Sequence, residues 1–93
     1  EDLLADLATL DWAACADGTR LQLPVLRQLS PMRIRNLLRW RLQQLAWRVP
    51  AAARIDEFVR QLLASGPEGR PLLCLPDGQL QVRGRCLEFL PAS

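Results

Sequence analysis

Ninety-three residues, 49% of them hydrophobic, suffice for one domain with a single core, and no apolar run approaches the roughly 20 residues of a membrane span. The 12 cations are all arginine; histidine, lysine and tyrosine are absent. Without histidine there is no usual general base near neutral pH and no usual partner for a serine or cysteine nucleophile, which argues against a catalyst.

Taken in order, the spacing predicts an acidic helix over 2–10 with Leu3, Leu4, Leu7 and Leu10 on one face. Asp11 is placed to end that helix or to cap a further turn through Trp12–Ala16, and Gly18 permits a left-handed exit. Trp12 reads as a core anchor. Thr19–Leu23 reads as extended, and Pro24 opens a short helix over 24–29 that runs straight into Ser30.

The central element is the helix expected over 31–46. Ser30 suits the N-cap and Pro31 the first helical position. Ile34, Leu37, Leu38, Leu42 and Leu45 recur at the three-and-four spacing of one face, the stripe a small domain must bury. Asn36, Arg39 and Gln43 fall on the opposite face, with Arg33 and Arg35 on its flanks. Pro50 restricts Val49 and is expected to close the helix. The next helix, over 51–65, carries Ile55, Phe58, Val59, Leu62 and Leu63 at helical spacing and stops at Gly66-Pro67.

From Arg70 the period shortens. Leu72–Leu75, Gln79–Arg83 and Arg85–Leu90 are β-suitable runs, separated by the Pro76-Asp77-Gly78 turn and by Gly84. Leu80 and Val82 alternate with Gln79, Gln81 and Arg83, as a half-buried strand requires. The fold class is therefore α+β: about four helices packed around a central amphipathic helix, followed by a small three-stranded antiparallel sheet. Ile34, Leu38, Leu42, Leu45, Ile55, Phe58, Val59 and Leu62 are expected in the core.

Charge is segregated along the chain. Residues 1–19 hold Glu1, Asp2, Asp6, Asp11 and Asp17 without a base, whereas residues 20–55 hold Arg20, Arg27, Arg33, Arg35, Arg39, Arg41, Arg48 and Arg54 without an acid. Such segregation suits a basic surface for an anionic partner. The competing reading is that the acidic first helix lies across the basic one and cancels it. Cys15, Cys74 and Cys86 are odd in number and lack a C-x-x-C pair, so reduced buried thiols are expected rather than a disulfide or a metal site. No glycine pattern would cradle a phosphate.

One constellation carries functional content: Arg33, Arg35 and Arg39 share a helix with Trp40, and Arg83 with Arg85 brackets the hairpin turn. Guanidinium groups bind phosphate bidentately, and a projecting tryptophan could stack on a base or cover another domain. Trp40 and Trp47 could equally be half-buried structural residues. Arg41, at the edge of the apolar stripe, is expected to pack. Arg33, Arg35, Arg39, Arg83 and Arg85 are the candidate nucleic-acid-binding residues; no catalytic or metal-ligating residue is assigned.

The string Leu29-Ser-Pro-Met-Arg33-Ile-Arg35-Asn36-Leu-Leu-Arg39, then Pro50…Ile55-Asp-Glu-Phe-Val-Arg-Gln-Leu-Leu-Ala64, Arg70-Pro71 and a hairpin with Arg83-Gly84-Arg85, resembles the central, substrate-recognition domain of bacterial tRNA(Ile)-lysidine synthases, PP-loop ATPases. The resemblance runs from Leu3 to Leu90 and rests on order and spacing. It implies a parent enzyme that uses ATP to activate the wobble cytidine of an isoleucine tRNA and joins lysine to it. The Mg-ATP site would belong to a preceding N-terminal ATPase domain. The chain begins at Glu1 without methionine, and residues 1–93 are then expected to be one excised, non-catalytic domain without a cofactor of its own. Its expected partners are tRNA and the ATPase domain, in the cytoplasm, with neither DNA nor membrane. Arg33, Arg39, Arg83 and Arg85 carry over from the family pattern. The chain departs from that pattern at Trp40-Arg41, at Ala51 and at Gln81-Val82. The alternative from another class is a helical protein–protein module whose arginine face docks an acidic partner or domain. A small enzyme domain is a third reading, disfavoured by the missing histidine and lysine.

Overall fold

The computed structural model describes residues 3–65 and 69–92. The Gly66-Pro67 stop and the Asp2 start therefore lie outside the described residues. Four helices, α1 (Leu3–Cys15), α2 (Leu23–Leu26), α3 (Pro31–Gln44) and α4 (Ala52–Ala64), combine with β1 (Ala16–Asp17), β2 (Arg20–Gln22), β3 (Leu72–Leu75), β4 (Gly78–Arg83) and β5 (Cys86–Pro91). The class is α+β, as expected. No helix among the described residues is long and apolar enough to cross a membrane.

The central helix begins as its sequence dictates: the Ser30 hydroxyl accepts the Arg33 backbone N–H at 3.3 Å, and Pro31 occupies the first position. Its end differs. Ala46 takes a left-handed conformation, φ 61°, while its N–H bonds to the Gln43 carbonyl and that of Trp47 to the Leu42 carbonyl. This is a Schellman ending built on alanine instead of glycine, so α3 stops before Pro50 can act. Ile34, Leu37, Leu38 and Leu42 are buried on one face, and Leu45 is only half-buried at the frayed edge. From α4, Ile55, Phe58, Val59 and Leu62 complete the core, whereas Leu63 faces outward.

The first helix departs most from expectation. It continues to Cys15, and Asp11 is an interior residue rather than a cap. The buried face is Ala8, Asp11 and Cys15, while Leu3, Leu4 and Leu10 are 80%, 61% and 69% exposed. The physical reason is pairing: Asp11 accepts two hydrogen bonds from Arg33, at 2.5 and 3.3 Å, and the small Ala8 and Cys15 share its face. An ion pair with one buried member turned the helix away from its leucines. The Cys15 thiol is pushed above its ordinary pKa by burial first and by the Asp11 carboxylate second, with Arg33 opposing.

The sheet has five strands, not three, in the order β1-β2-β5-β4-β3, every pair antiparallel. The two extra strands form a hairpin, with Ala16 opposite Leu21 and Asp17 opposite Arg20. Gly18, φ 68°, sits first in its two-residue turn, the position where a hairpin needs positive φ. Leu21 pairs with Leu87, which joins the start of the chain to its last strand. The helix expected over 24–29 shortens to Leu23–Leu26, followed by turns in which Gln28 and Leu29 donate to Val25 and Leu26. Gly78 is needed for packing: a Cβ there would lie 2.3 Å from the Leu90 carbonyl oxygen and 2.6 Å from the Trp47 ring.

Candidate nucleic-acid interface

The arginines sort by what each guanidinium touches. Arg33 reaches back to α1, where Asp11 is 3% exposed, and Arg35 reaches across to α4, where Asp56 accepts at 3.2 and 3.4 Å. The two flanking arginines of α3 thus tie it to a neighbour on either side. The hydrogen bonds that Arg33 donates to Asp11 hold its guanidinium above the ordinary pKa. Between the flanks, Arg39 is exposed and makes no side-chain hydrogen bond or ion pair with any described residue. It lines a shallow groove of about 210 Å³ with Leu4, Asn36, Trp40 and Gln43. The wall is fixed by Asn36, whose side-chain amide donates to the Leu4 carbonyl at 2.8 Å.

Arg41 behaves as its position on the stripe predicts. Its guanidinium carbon sits 4.3 Å above the Trp12 ring, and Trp12 packs in turn against Trp40 and Phe89 at ring-centroid distances of 6.2 and 6.3 Å. A stacked cation of this kind stabilises by roughly 0.5–2 kcal/mol. Trp40 is half-buried in this stack and Trp47 lies against Gly78, so both contribute to packing.

On the sheet, Arg83 approaches Glu88 at 3.7 Å, and Arg20 approaches the same carboxylate at 3.8 Å. Arg85, two residues along in the β4–β5 turn, is exposed and unpaired among the described residues. The sequence-level pair Arg83–Arg85 is therefore divided into one arginine held by a carboxylate and one unpaired. Arg54 ties α4 to β3 through the Cys74 carbonyl at 2.6 Å, and Arg60 pairs with Glu57 one turn away. The guanidinium groups of Arg48 and Arg70 have no hydrogen bond or ion pair among the described residues. Neither stands out by spacing; only partner counting in three dimensions finds them. No group of His, Cys, Asp and Glu among the described residues could hold a metal ion.

Arg39 on a proline-led helix and Arg85 in a hairpin turn are the exposed cations of the candidate set without a partner among the described residues. Residues 21–87 match the family model described as "TilS substrate binding domain". The chain belongs to that family. It is similar to tRNA(Ile)-lysidine synthases from Aromatoleum aromaticum, at 51% identity over 65 residues (70% of this chain, 15% of that protein), and from Alkalilimnicola ehrlichii, at 37% over 93 residues (100% of this chain, 21% of that protein). The Nitrosomonas europaea synthase is 36% identical over 91 residues, 98% of this chain and 20% of that protein. The chain thus spans about a fifth or less of these TilS relatives. No solved structure matches it.

Proposed function

We propose that this TilS substrate binding domain binds tRNA for an ATP-dependent tRNA(Ile)-lysidine synthase, the enzyme that joins lysine to the wobble cytidine of an isoleucine tRNA. In that reading the domain catalyses nothing alone, the protein works in the cytoplasm, and Mg-ATP is bound by an N-terminal ATPase domain of the longer enzyme. The observation that carries the RNA contact is Arg39 on the outer face of α3, unpaired among the described residues, within a stretch free of acids from Gly18 to Ile55. Arg39 and Arg85 take backbone phosphates as bidentate donors. Arg33, Arg35 and Arg83 keep N–H groups beyond those their carboxylates engage, and add to the same field.

The second reading, a docking module, has the outward leucines of α1 in its favour. Salt dependence separates the two. In the full-length protein, Arg39→Ala should weaken binding of all RNA sequences alike and flatten the plot of log K against log salt by about 0.7–0.9. Arg41→Ala is the control: it should lower stability through the lost Trp12 stack and leave the slope unchanged. An unchanged slope for Arg39→Ala would favour docking.

A further inference from the structure

A second basic concavity lies away from the central helix. Just beyond α2, Arg27 donates through Nε to the Leu62 carbonyl at 3.2 Å, answering one of the free carbonyls at the end of α4. The β4–β5 turn carries Arg85 to the same place, anchored by its own backbone carbonyl, which accepts the Leu23 N–H at 2.8 Å. Between them opens a cleft of about 370 Å³, with Arg27, Arg85, Ser65 and Gly84 around an apolar floor of Leu23 and Val82. No described carboxylate lines it. A neighbouring cleft shares Ser65 and adds Arg70, whose guanidinium has no partner among the described residues. It shares no residue with the Arg39 groove.

Two guanidinium groups line one open cleft with no carboxylate among its described residues, an arrangement that favours an anion between them, and their planar forks match phosphate oxygens. An apolar floor under the two cations suits the carbon face of a ribose. We infer that this cleft is a second phosphate-binding site, taking an RNA backbone phosphate through Arg27 and Arg85. The inference rests on the tRNA-binding reading and adds Arg27, which no sequence pattern singled out. An RNA held at both places would be gripped by the central helix and by the sheet end at once.

The test is binding of an isoleucine-tRNA transcript to the full-length protein across a potassium chloride series. Arg27→Gln and Arg85→Gln should each lower affinity several-fold at low salt and flatten the slope, the double variant by about 0.7–0.9 in all because one phosphate contact is lost. Because the Arg85 side chain makes no hydrogen bond or ion pair with any described residue, Arg85→Gln should melt like the wild type. It therefore keeps the result readable if Arg27→Gln weakens the end of α4. Arg39→Gln is measured alongside. If it flattens the slope and the cleft variants do not, the second site is overturned while the tRNA reading stands; if none of the three does, both fall. Millimolar inorganic phosphate at constant ionic strength should leave wild-type binding unchanged. Displacement of tRNA by phosphate that vanishes in the double variant would assign the cleft to a free anion and overturn the backbone assignment.

Discussion

Helices α1 and α4 are both 13 residues long, yet only α4 buries the face that its large apolar residues mark. In α4 the apolar residues form one unbroken stripe with Asp56, Glu57 and Arg60 on the wet side, so hydrophobic burial alone orients it. In α1 the leucines share the surface with a run of alanines and an aspartate. There the orientation follows Ala8, Cys15 and the Asp11–Arg33 pair. A strong one-sided pattern orients a helix by itself; a diffuse one leaves the choice to a partner.

The comparison breaks most visibly by truncation. Phe58→Ala on α4 should cost about 3–5 kcal/mol, enough to unfold most of a domain this small, since the ring is 2% exposed. Leu10→Ala on α1 should stay within about 0.5 kcal/mol. Urea denaturation measures both, and a large loss at Leu10 would show that α1 does bury its leucines.

A smaller effect tests the ion pair. Arg33→Ala should lower the melting temperature by leaving the Asp11 carboxylate buried without its partner. Replacing both, as Arg33→Met with Asp11→Leu, should recover much of the loss, because two apolar residues need no mutual neutralisation. If the double variant melts no higher than the single one, the pair does more than satisfy a buried charge.

Next in size is the alanine that ends α3. Ala46→Gly should stabilise the domain by about 1 kcal/mol, since glycine takes φ 61° without the steric cost that an L side chain meets. The same change at Ala53, in the first turn of α4, should destabilise by up to about 0.5 kcal/mol, which gives a control of opposite sign.

The smallest expected effect is electrostatic. Glu57 is held below the ordinary carboxylate range by its hydrogen bonds from Arg60 and Gln61. A depressed folded pKa means that the contribution is present above the ordinary glutamate value and lost as pH falls through the folded one. The melting-temperature gap between wild type and Glu57→Gln should therefore be small at neutral pH, close in acid, and shrink with salt because the site is exposed.

Much of the molecule was legible beforehand. Ser30 and Pro31 specify the start of α3 through local hydrogen bonding and a preset φ, and the stripes of α3 and α4 specify their faces through burial. Leu80 and Val82 marked an alternating strand that pairs as expected. Gly18 was legible in conformation but not in role: positive φ serves a helix exit and a hairpin turn equally well, and strands as short as Ala16–Asp17 leave no period to read. The candidate arginines were legible as a set, because charge segregation is a property of the chain.

Their division was not. Whether an arginine is held or unpaired depends on which carboxylate the fold brings within reach, over separations of 22 residues for Arg33 and Asp11 and 21 for Arg35 and Asp56. The sequence by itself determined the helices whose own pattern suffices, the α+β class and the segregation of arginines along the chain, all of them properties of near neighbours in sequence. The tertiary structure alone decided the burial of Asp11, the addition of β1 and β2 to the sheet, and the absence of partners for Arg39 and Arg85 among the described residues. Each depends on contacts between residues far apart in sequence, whose meeting no local period encodes.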